Sequence, residues 1–517
     1  MLLQRLRALD PDLLRGIRRG IEKESLRVRA DGTLASTPHP AGLGSPLTHP
    51  HITTDFSESQ LELITGVHTG VEGCLDQLAE IHQAVFRELG DELLWGASMP
   101  CGLPADDAIP IARYGSSNIG RAKTVYRNGL AHRYGRRMQT ISGIHYNFSI
   151  PDAAWPLLQR TDARSGPEQA YRDEAYFGLI RNFRRHSWLL LYLFGASPAV
   201  CESFVEGRAH RLETLAAGTV HLPHATSLRM GPLGYQSDAQ SSLAVSYNSL
   251  ASYASSLHEA LNVPYPRYAA IGVRDDGADY RQLSTTLLQI ENEFYGTIRP
   301  KRRTRKGERP LHALRERGVE YAEVRCLDLD PFCPVGITAA TIRFLDVFLL
   351  HCLLADSAPD TPGEISAVGR NQHRVAERGR EPGLKLDARG AERTPAEWGG
   401  EILAECEPIA AALDSAHGGR AYRDALGAAG GALRDPELTP SARMLREIQA
   451  GEGSYVRFVL ARLQAHRRHL QSLPFPQEAA ARYTRLAAES LASQRQTEVA
   501  DKVPYEVFRR QYLALPE

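Results

Sequence analysis

The sequence predicts an α+β protein, with strands and helices intermixed over the first two thirds and a helical section at the C-terminal end. Two patterns carry that expectation. Four segments mix β-branched or aromatic residues with polar ones in rough alternation, the period of a strand. They are GIEKESLRV (20–28), LELIT (61–65), ISGIHYNFSI (141–150) and VEYAEVRCLDL (319–329). Between them, VEGCLDQLAEIHQAVFREL (71–89) spaces its apolar residues by three and four, as an amphipathic helix does.

Further helical patterns cover 176–194 and 336–355, and the ending LDVFLLHCLLAD reads as a buried helix. From about 356 the texture changes. DSAPDTPGE (356–364) reads as a loop, 370–400 is rich in charge, Gly and Pro, and the chain after 401 is Ala/Arg/Leu-rich and mostly helical. No fixed-period repeat and no long flexible linker occurs. One body over 1–517 is therefore expected, with a sheet-containing active-site part at 1–355 and a mainly helical part at 356–517.

Composition narrows the class of function. Lys+Arg and Asp+Glu are both 61, so no global field draws the chain to nucleic acid or to an anionic membrane, and any anion site must be local. The longest strongly apolar run, WLLLYLF at 188–194, falls far short of the roughly 20 residues that span a bilayer. The start, MLLQRLRALDPDLL, lacks the apolar core and cleavage site of a secretory signal. Seven scattered cysteines without a CxxC pair argue against a disulfide scaffold or a zinc ribbon and fit a reducing compartment. A soluble cytoplasmic protein with small-molecule partners is expected.

The strand period gives the acidic residues their meaning. Glu22 and Glu24 share one face of 20–28, an arrangement that like charges disfavour. In TTDFSESQLELIT, Asp55 precedes Phe56, and Glu62 faces away from Leu61 and Leu63. Alternation groups His145, Asn147 and Ser149 on one face and pairs Glu323 with Arg325; Glu291 and Glu293 repeat the spacing of two. Carboxylates and one histidine spread over separate strands read as a wall for hard cations such as Mg²⁺, which take oxygen ligands and share them with nucleotide phosphates. The competing reading is a set of half-exposed strands with solvated polar faces.

Cationic residues supply a second set. TIRPKRRTRKGERP (297–310) holds Arg299, Lys301, Arg302, Arg303, Arg305, Lys306 and Arg309, a phosphate site or else a solvated basic loop. Arg299 is the first candidate because it adjoins the patterned segment. NIGRAKTVYRNGLAHRYG offers Tyr126 and Arg127, and ATSLRMGPLGYQ offers Arg229 and Tyr235, either to hold an amino-acid carboxylate or as plain packing contacts. No P-loop, GxGxxG turn, HExxH or GxSxG is present, so nucleotide chemistry here needs another kind of site.

GIEKESLRV, ITTDFSESQLELIT, YGSSNIGRAKTVYRNGL, MQTISGIHYNFS, LFGASPAVC, LQIENEFYGTIRPKR and GVEYAEVRCLDLDPF occur in this order, and together they closely resemble the proteobacterial-type glutamate–cysteine ligases. The resemblance is dense from about 15 to 355 and weaker through the helical tail, and 206–223 is less typical. It implies a glutamine-synthetase-like fold, an antiparallel sheet curved into a funnel with helices outside. It implies ATP-dependent joining of the glutamate γ-carboxylate to the cysteine amine through a γ-glutamyl phosphate, with Mg²⁺ or Mn²⁺ as cofactor and ATP as co-substrate. Glu22, Glu24, Asp55, Glu62, His145 and Glu323 match the family's metal positions. Tyr126, Tyr235, Tyr295 and Phe56 match positions around the cysteine substrate, with Arg127 and Gln139 close by. Arg229 and Arg325 match positions that handle a carboxylate or the transferred phosphoryl group, and Arg299 and Lys301 are the ATP candidates. A monomer or weak homo-oligomer is expected. Another amine acceptor, or metal-dependent hydrolysis by the same carboxylates, are the alternatives.

Overall fold

Residues 20–28 form the middle of an 11-residue strand, β1 (Arg18–Val28), in the computed structural model. The structure describes every residue except 235–237, 242, 244, 278, 306, 452 and 515–517. β2 (Ile52–Thr54), β3 (Gln60–Ile64), β4 (Leu93–Leu94) and β5 (Ile144–Ser149) follow. A small sheet holds β6 (Ala199–Cys201), β7 (Glu213–Ala216) and β8 (Thr219–His221); β9 (Ile298–Lys301) and β10 (Tyr321–Leu327) return to the large one. The large sheet runs β2-β3-β1-β5-β10-β9, with β4 pairing β1, and these pairs are antiparallel.

Register decides what the two faces carry. Directly paired residues share a face, and β1 pairs Glu22 with His145 and Glu24 with Glu62. Glu323 lies opposite Asn147 on one side and Arg299 on the other. The alternate positions, Ile21, Leu61, Leu63, Ile144, Tyr146, Phe148, Ile298, Ala322 and Val324, are buried in the main core. That face packs on helices Val71–Glu88 and Glu168–Phe194, with helix Ala339–Leu354 behind them. Burying one such apolar side chain contributes about 1.5–3 kcal/mol, so a one-residue slip that exchanged the faces is strongly disfavoured.

Polar groups on the core face come with partners. Arg19 meets Asp346 at 3.1 Å, and the Tyr146 hydroxyl donates to Asp346 at 2.6 Å. Lys23 Nζ lies 2.7 Å from His82 Nε2.

The helical tail is knitted to the first part. Helix Pro395–His417 packs on helices Pro11–Arg15, Ala339–Leu354 and Ala421–Arg434. Helix Tyr455–Ser472 begins with Tyr455, whose hydroxyl donates to the Met99 carbonyl at 2.7 Å. The last helix, Tyr505–Leu513, packs on helix Asn118–Tyr134. Among the described residues no helix is long and apolar enough to cross a membrane.

Four expectations change. The loop read at 356–364 ends at Thr361, which caps helix Pro362–Arg378; Pro362 occupies its first position, where the missing N–H costs nothing. The helix read from 176 begins at Glu168. Glu291 and Glu293 stand in a 3₁₀ turn instead of a strand, and their partners are Arg309 at 2.8 Å and Arg133 at 2.8 Å. Cys101 and Cys201 form a disulfide across 100 residues, against the expectation from cysteine spacing, because the loop at Cys101 meets the end of β6.

Candidate active site

The polar face of the sheet forms one wall of a cleft of about 260 Å³. β1 supplies Glu22, β3 Glu62, β5 His145, β9 Arg299 and Lys301, and β10 Glu323 and Arg325. The turn between β2 and β3 adds Asp55 and Phe56, and helix Asn118–Tyr134 adds Lys123, Tyr126 and Arg127. Gln139 and Tyr295 complete the sequence-named lining. Glu24 and Arg229 do not line it, and Tyr235 and Lys306 lie outside the described residues.

His145 is the hub of the carboxylates. Its Nδ1 lies 3.3 Å from Glu22 Oε2 and 3.9 Å from Glu323 Oε1, and its Nε2 lies 3.5 Å from Glu24 Oε1. Asn147 donates to Glu22 at 2.9 Å, and the Gly143 N–H donates to Glu24 at 2.8 Å, which fixes both carboxylates from behind. Glu323 is 1 % exposed; Lys301 Nζ lies 3.1 Å from its Oε1 and Arg325 Nη1 lies 3.2 Å from its Oε2.

Titration follows this geometry. Burial works to raise Glu323, but the Lys301 and Arg325 charges overcome it and hold the carboxyl well below the usual range. Burial opposes ionisation of Glu22 too, and the His145 contact brings it net downward. Glu62 goes the other way: burial, then the Glu22 and Asp55 charges, push it well up. Glu24 is raised by burial. Lys123 is pushed down to about 8 by burial, then by Arg127. The carboxylates at the β1–β3 end therefore repel one another, and a cation bound there would relieve that repulsion.

The donor set fits a hard divalent ion. Glu22, His145 and Glu323 each offer a ligand atom, and the three atoms lie within 4.8 Å of one another. Carboxylate oxygens predominate, as Mg²⁺ and Mn²⁺ prefer.

The opposite wall is aromatic and cationic. Gln139 Nε2 donates to the Tyr295 hydroxyl at 2.9 Å, and Tyr134 stands edge-on to Tyr295 at 5.7 Å. Arg127 stacks over Tyr114 at 4.6 Å and donates to the Asp55 carbonyl, which ties the helix to the β2–β3 turn. On the sheet wall, Arg299 is buried and donates to the carbonyls of Asn292 and Phe294. Arg229 is buried beneath the floor, with its Nη2 donating to the Arg325 carbonyl at 2.9 Å and its Nη1 4.0 Å from Asp328. Arg302 and Arg305 turn away to the Arg317 carbonyl and to Glu316.

Sequence reasoning missed Lys123, Asn292 and Tyr512 in the lining. Lys123 stands one helical turn before Arg127, so helical spacing could have found it. Tyr512, in the last helix, carries no local signal.

An antiparallel sheet whose polar face gathers carboxylates beside arginine and lysine defines a class of site suited to phosphoryl transfer, where charge neutralisation does most of the chemistry. Similarity narrows that class. The chain belongs to the glutamate–cysteine ligase family, whose model matches residues 3–375. It is 51% identical over 508 residues to a glutamate–cysteine ligase of Azotobacter vinelandii, covering 98% of this chain and 96% of the relative. Against the Pseudomonas aeruginosa enzyme it is 50% identical, with 96% and 94% covered. The crystal structure of a Francisella tularensis glutamate–cysteine ligase in complex with AMP superposes with a TM-score of 0.91 at 36% identity, covering 96% of this chain and 97% of that one. A bifunctional glutathione synthetase from Pasteurella multocida gives a TM-score of 0.74 at 27% identity, with 93% of this chain and 57% of that chain covered.

Proposed function

We infer that this protein joins the γ-carboxylate of L-glutamate to the amine of L-cysteine at the expense of ATP, the first step of glutathione biosynthesis. The observation that carries this reading is the convergence of Glu22, His145 and Glu323 with Arg325 and Lys301 in one cleft, in a chain of this family. We read the polar face of the sheet as the wall of a funnel of the glutamine-synthetase kind, within one catalytic domain over 1–517.

The chemistry needs no protein nucleophile. A γ-carboxylate oxygen of glutamate attacks the γ-phosphorus of ATP and ADP leaves. The cysteine amine then attacks the acyl carbon of the γ-glutamyl phosphate, and phosphate leaves. Glu22, His145 and Glu323, with Glu24, Asp55 and Glu62 beside them, would hold Mg²⁺ or Mn²⁺, which when bound neutralises charge between the carboxylates and the phosphate oxygens. Arg325, Lys301 and Arg299 face the phosphates as fixed cations, with Arg229 supporting Arg325 from below. Tyr126, Tyr295 and Phe56, with Gln139 and Arg127, wall the amino-acid end and keep water from the acyl phosphate. Tyr235 keeps the substrate role that its motif gives it. We take the enzyme to act as a monomer or weak homo-oligomer in the cytoplasm, where ATP is supplied.

The test is ADP release with ATP, Mg²⁺ and L-glutamate while amines are added singly, with the product mass recorded. Release that rises most with cysteine, together with a γ-glutamylcysteine mass, is the expected result. Release that is indifferent to the amine, or ATP hydrolysis without any γ-glutamyl product, overturns the reading.

A further inference from the structure

A second cavity, of about 340 Å³, lies on the other side of the core helices and shares no lining residue with the cleft. Helices Glu168–Phe194, Ala339–Leu354, Pro362–Arg378 and Pro395–His417 wall it, with the hairpin of β11 (Leu386–Ala388) and β12 (Ala391–Arg393). Two histidines meet there. His186 and His351 have ring centroids 5.9 Å apart, and Trp398 stands edge-on to His186.

Their hydrogen bonding is incomplete in a specific way. His351 is 1 % exposed, and its Nε2 lies 2.7 Å from Glu405 Oε2. That contact makes Nε2 the protonated nitrogen and leaves the Nδ1 lone pair free. Nδ1 of His351 and Nδ1 of His186 are both buried and make no hydrogen bond. Unpaired polar atoms inside a core cost free energy, roughly 1–3 kcal/mol each, unless something else completes them. Cys352, the next residue on the helix, is fully buried, and one ligand atom from each of His186, His351 and Cys352 lies within 4.8 Å of the others.

We propose that His186, His351 and Cys352 form a zinc site, whose fourth position opens into this cavity. Two imidazole nitrogens and a thiolate are the donors of a borderline-soft ion. This is a different chemistry from the oxygen-rich set of Glu22, His145 and Glu323. Glu405 takes the place of the outer carboxylate that orients a ligating imidazole and fixes its tautomer. Binding displaces the Cys352 thiol proton to solvent, since the thiolate is the ligand. Binding closes the three donors, now within 4.8 Å of one another, around an ion at bonding distances of about 2.0–2.3 Å. The ion would tie helix Glu168–Phe194 to helix Ala339–Leu354, the two helices stacked behind the sheet.

The test uses the full chain, stripped of metal and titrated with Co²⁺ alone, then with Zn²⁺. One equivalent of Co²⁺ should give a thiolate-to-cobalt charge-transfer band that Zn²⁺ displaces. The band should persist in Glu323→Gln, which disables the cleft, and be lost in Cys352→Ser and in His186→Gln. Glu405→Gln, at an exposed carboxylate, should weaken Zn²⁺ binding about 10–100-fold while the fold is unchanged. If Cys352→Ser does not fold, His186→Gln at the half-buried wall and Glu405→Gln still decide. No charge-transfer band in the wild-type protein overturns the proposal, and so does a band unaffected by His186→Gln.

Discussion

At Glu22 one carboxylate oxygen takes the Asn147 amide while the other faces His145, so the group is held in place before any ligand arrives. Glu22→Gln keeps the size and the Asn147 neighbour but removes the charge. We expect kcat to fall about 100-fold or more, roughly 2.7 kcal/mol of lost transition-state stabilisation, and the Mg²⁺ half-saturation to rise, with an unchanged circular dichroism spectrum. Activity within a few-fold of wild type would sink the cation assignment. His49 makes a second point at this scale. Its Nδ1 accepts the N–H groups of His51 and Ile52, so it must stay neutral, and burial, then His51, push it down to about 4. Unfolded, it takes up a proton near pH 6.5, and between that value and about 4 the unfolded chain binds the extra proton. Stability therefore falls as pH drops through that window. Acid titrations of urea unfolding should show a smaller fall in His49→Asn, whose side-chain oxygen can accept the same N–H groups without titrating.

Among the elements, β1 was legible from its β-prone residues and the two-residue spacing of Glu22 and Glu24, although Arg19 and Lys23 share the core face with Ile21. The same logic read β3, β5 and β10, and with them the carboxylate wall. It failed at Glu291 and Glu293, where a spacing of two occurs in a 3₁₀ turn and each carboxylate serves an arginine. At Pro362 a loop-like composition masks a helix start, although Thr361 and Pro362 are an N-cap and first-turn pair. Cap chemistry is equally visible at helix Ala339–Leu354, where the Thr338 side chain accepts the Thr341 N–H at 3.1 Å. Thr338→Ala should cost about 1 kcal/mol in urea unfolding, with kcat nearly unchanged, since the helix stands behind the sheet and not in the cleft.

For the whole molecule, the disulfide was illegible for a plain reason: Cys101 and Cys201 are 100 residues apart, and no local pattern reports on such a contact. Closing a loop of that length removes chain entropy worth about 4–5 kcal/mol from the unfolded ensemble on the simplest model. Thiol titration in denaturant should count the five free cysteines, Cys74, Cys326, Cys333, Cys352 and Cys406, before reduction and two more after it, with a lower unfolding temperature in the reduced protein. Seven reactive thiols at the outset would refute the bridge. The tail has a larger architectural role than its composition announces. Tyr512 lines the cleft, and the Leu513 carbonyl accepts from Arg309 at 3.1 Å, yet the strands that hold the carboxylates are complete by residue 327. In chain order, then, the charged wall comes long before the segment that completes the cleft. Nucleotide consumption is thereby coupled to the docking of helix Tyr505–Leu513 against the cleft, through Tyr512 and the Arg309 contact.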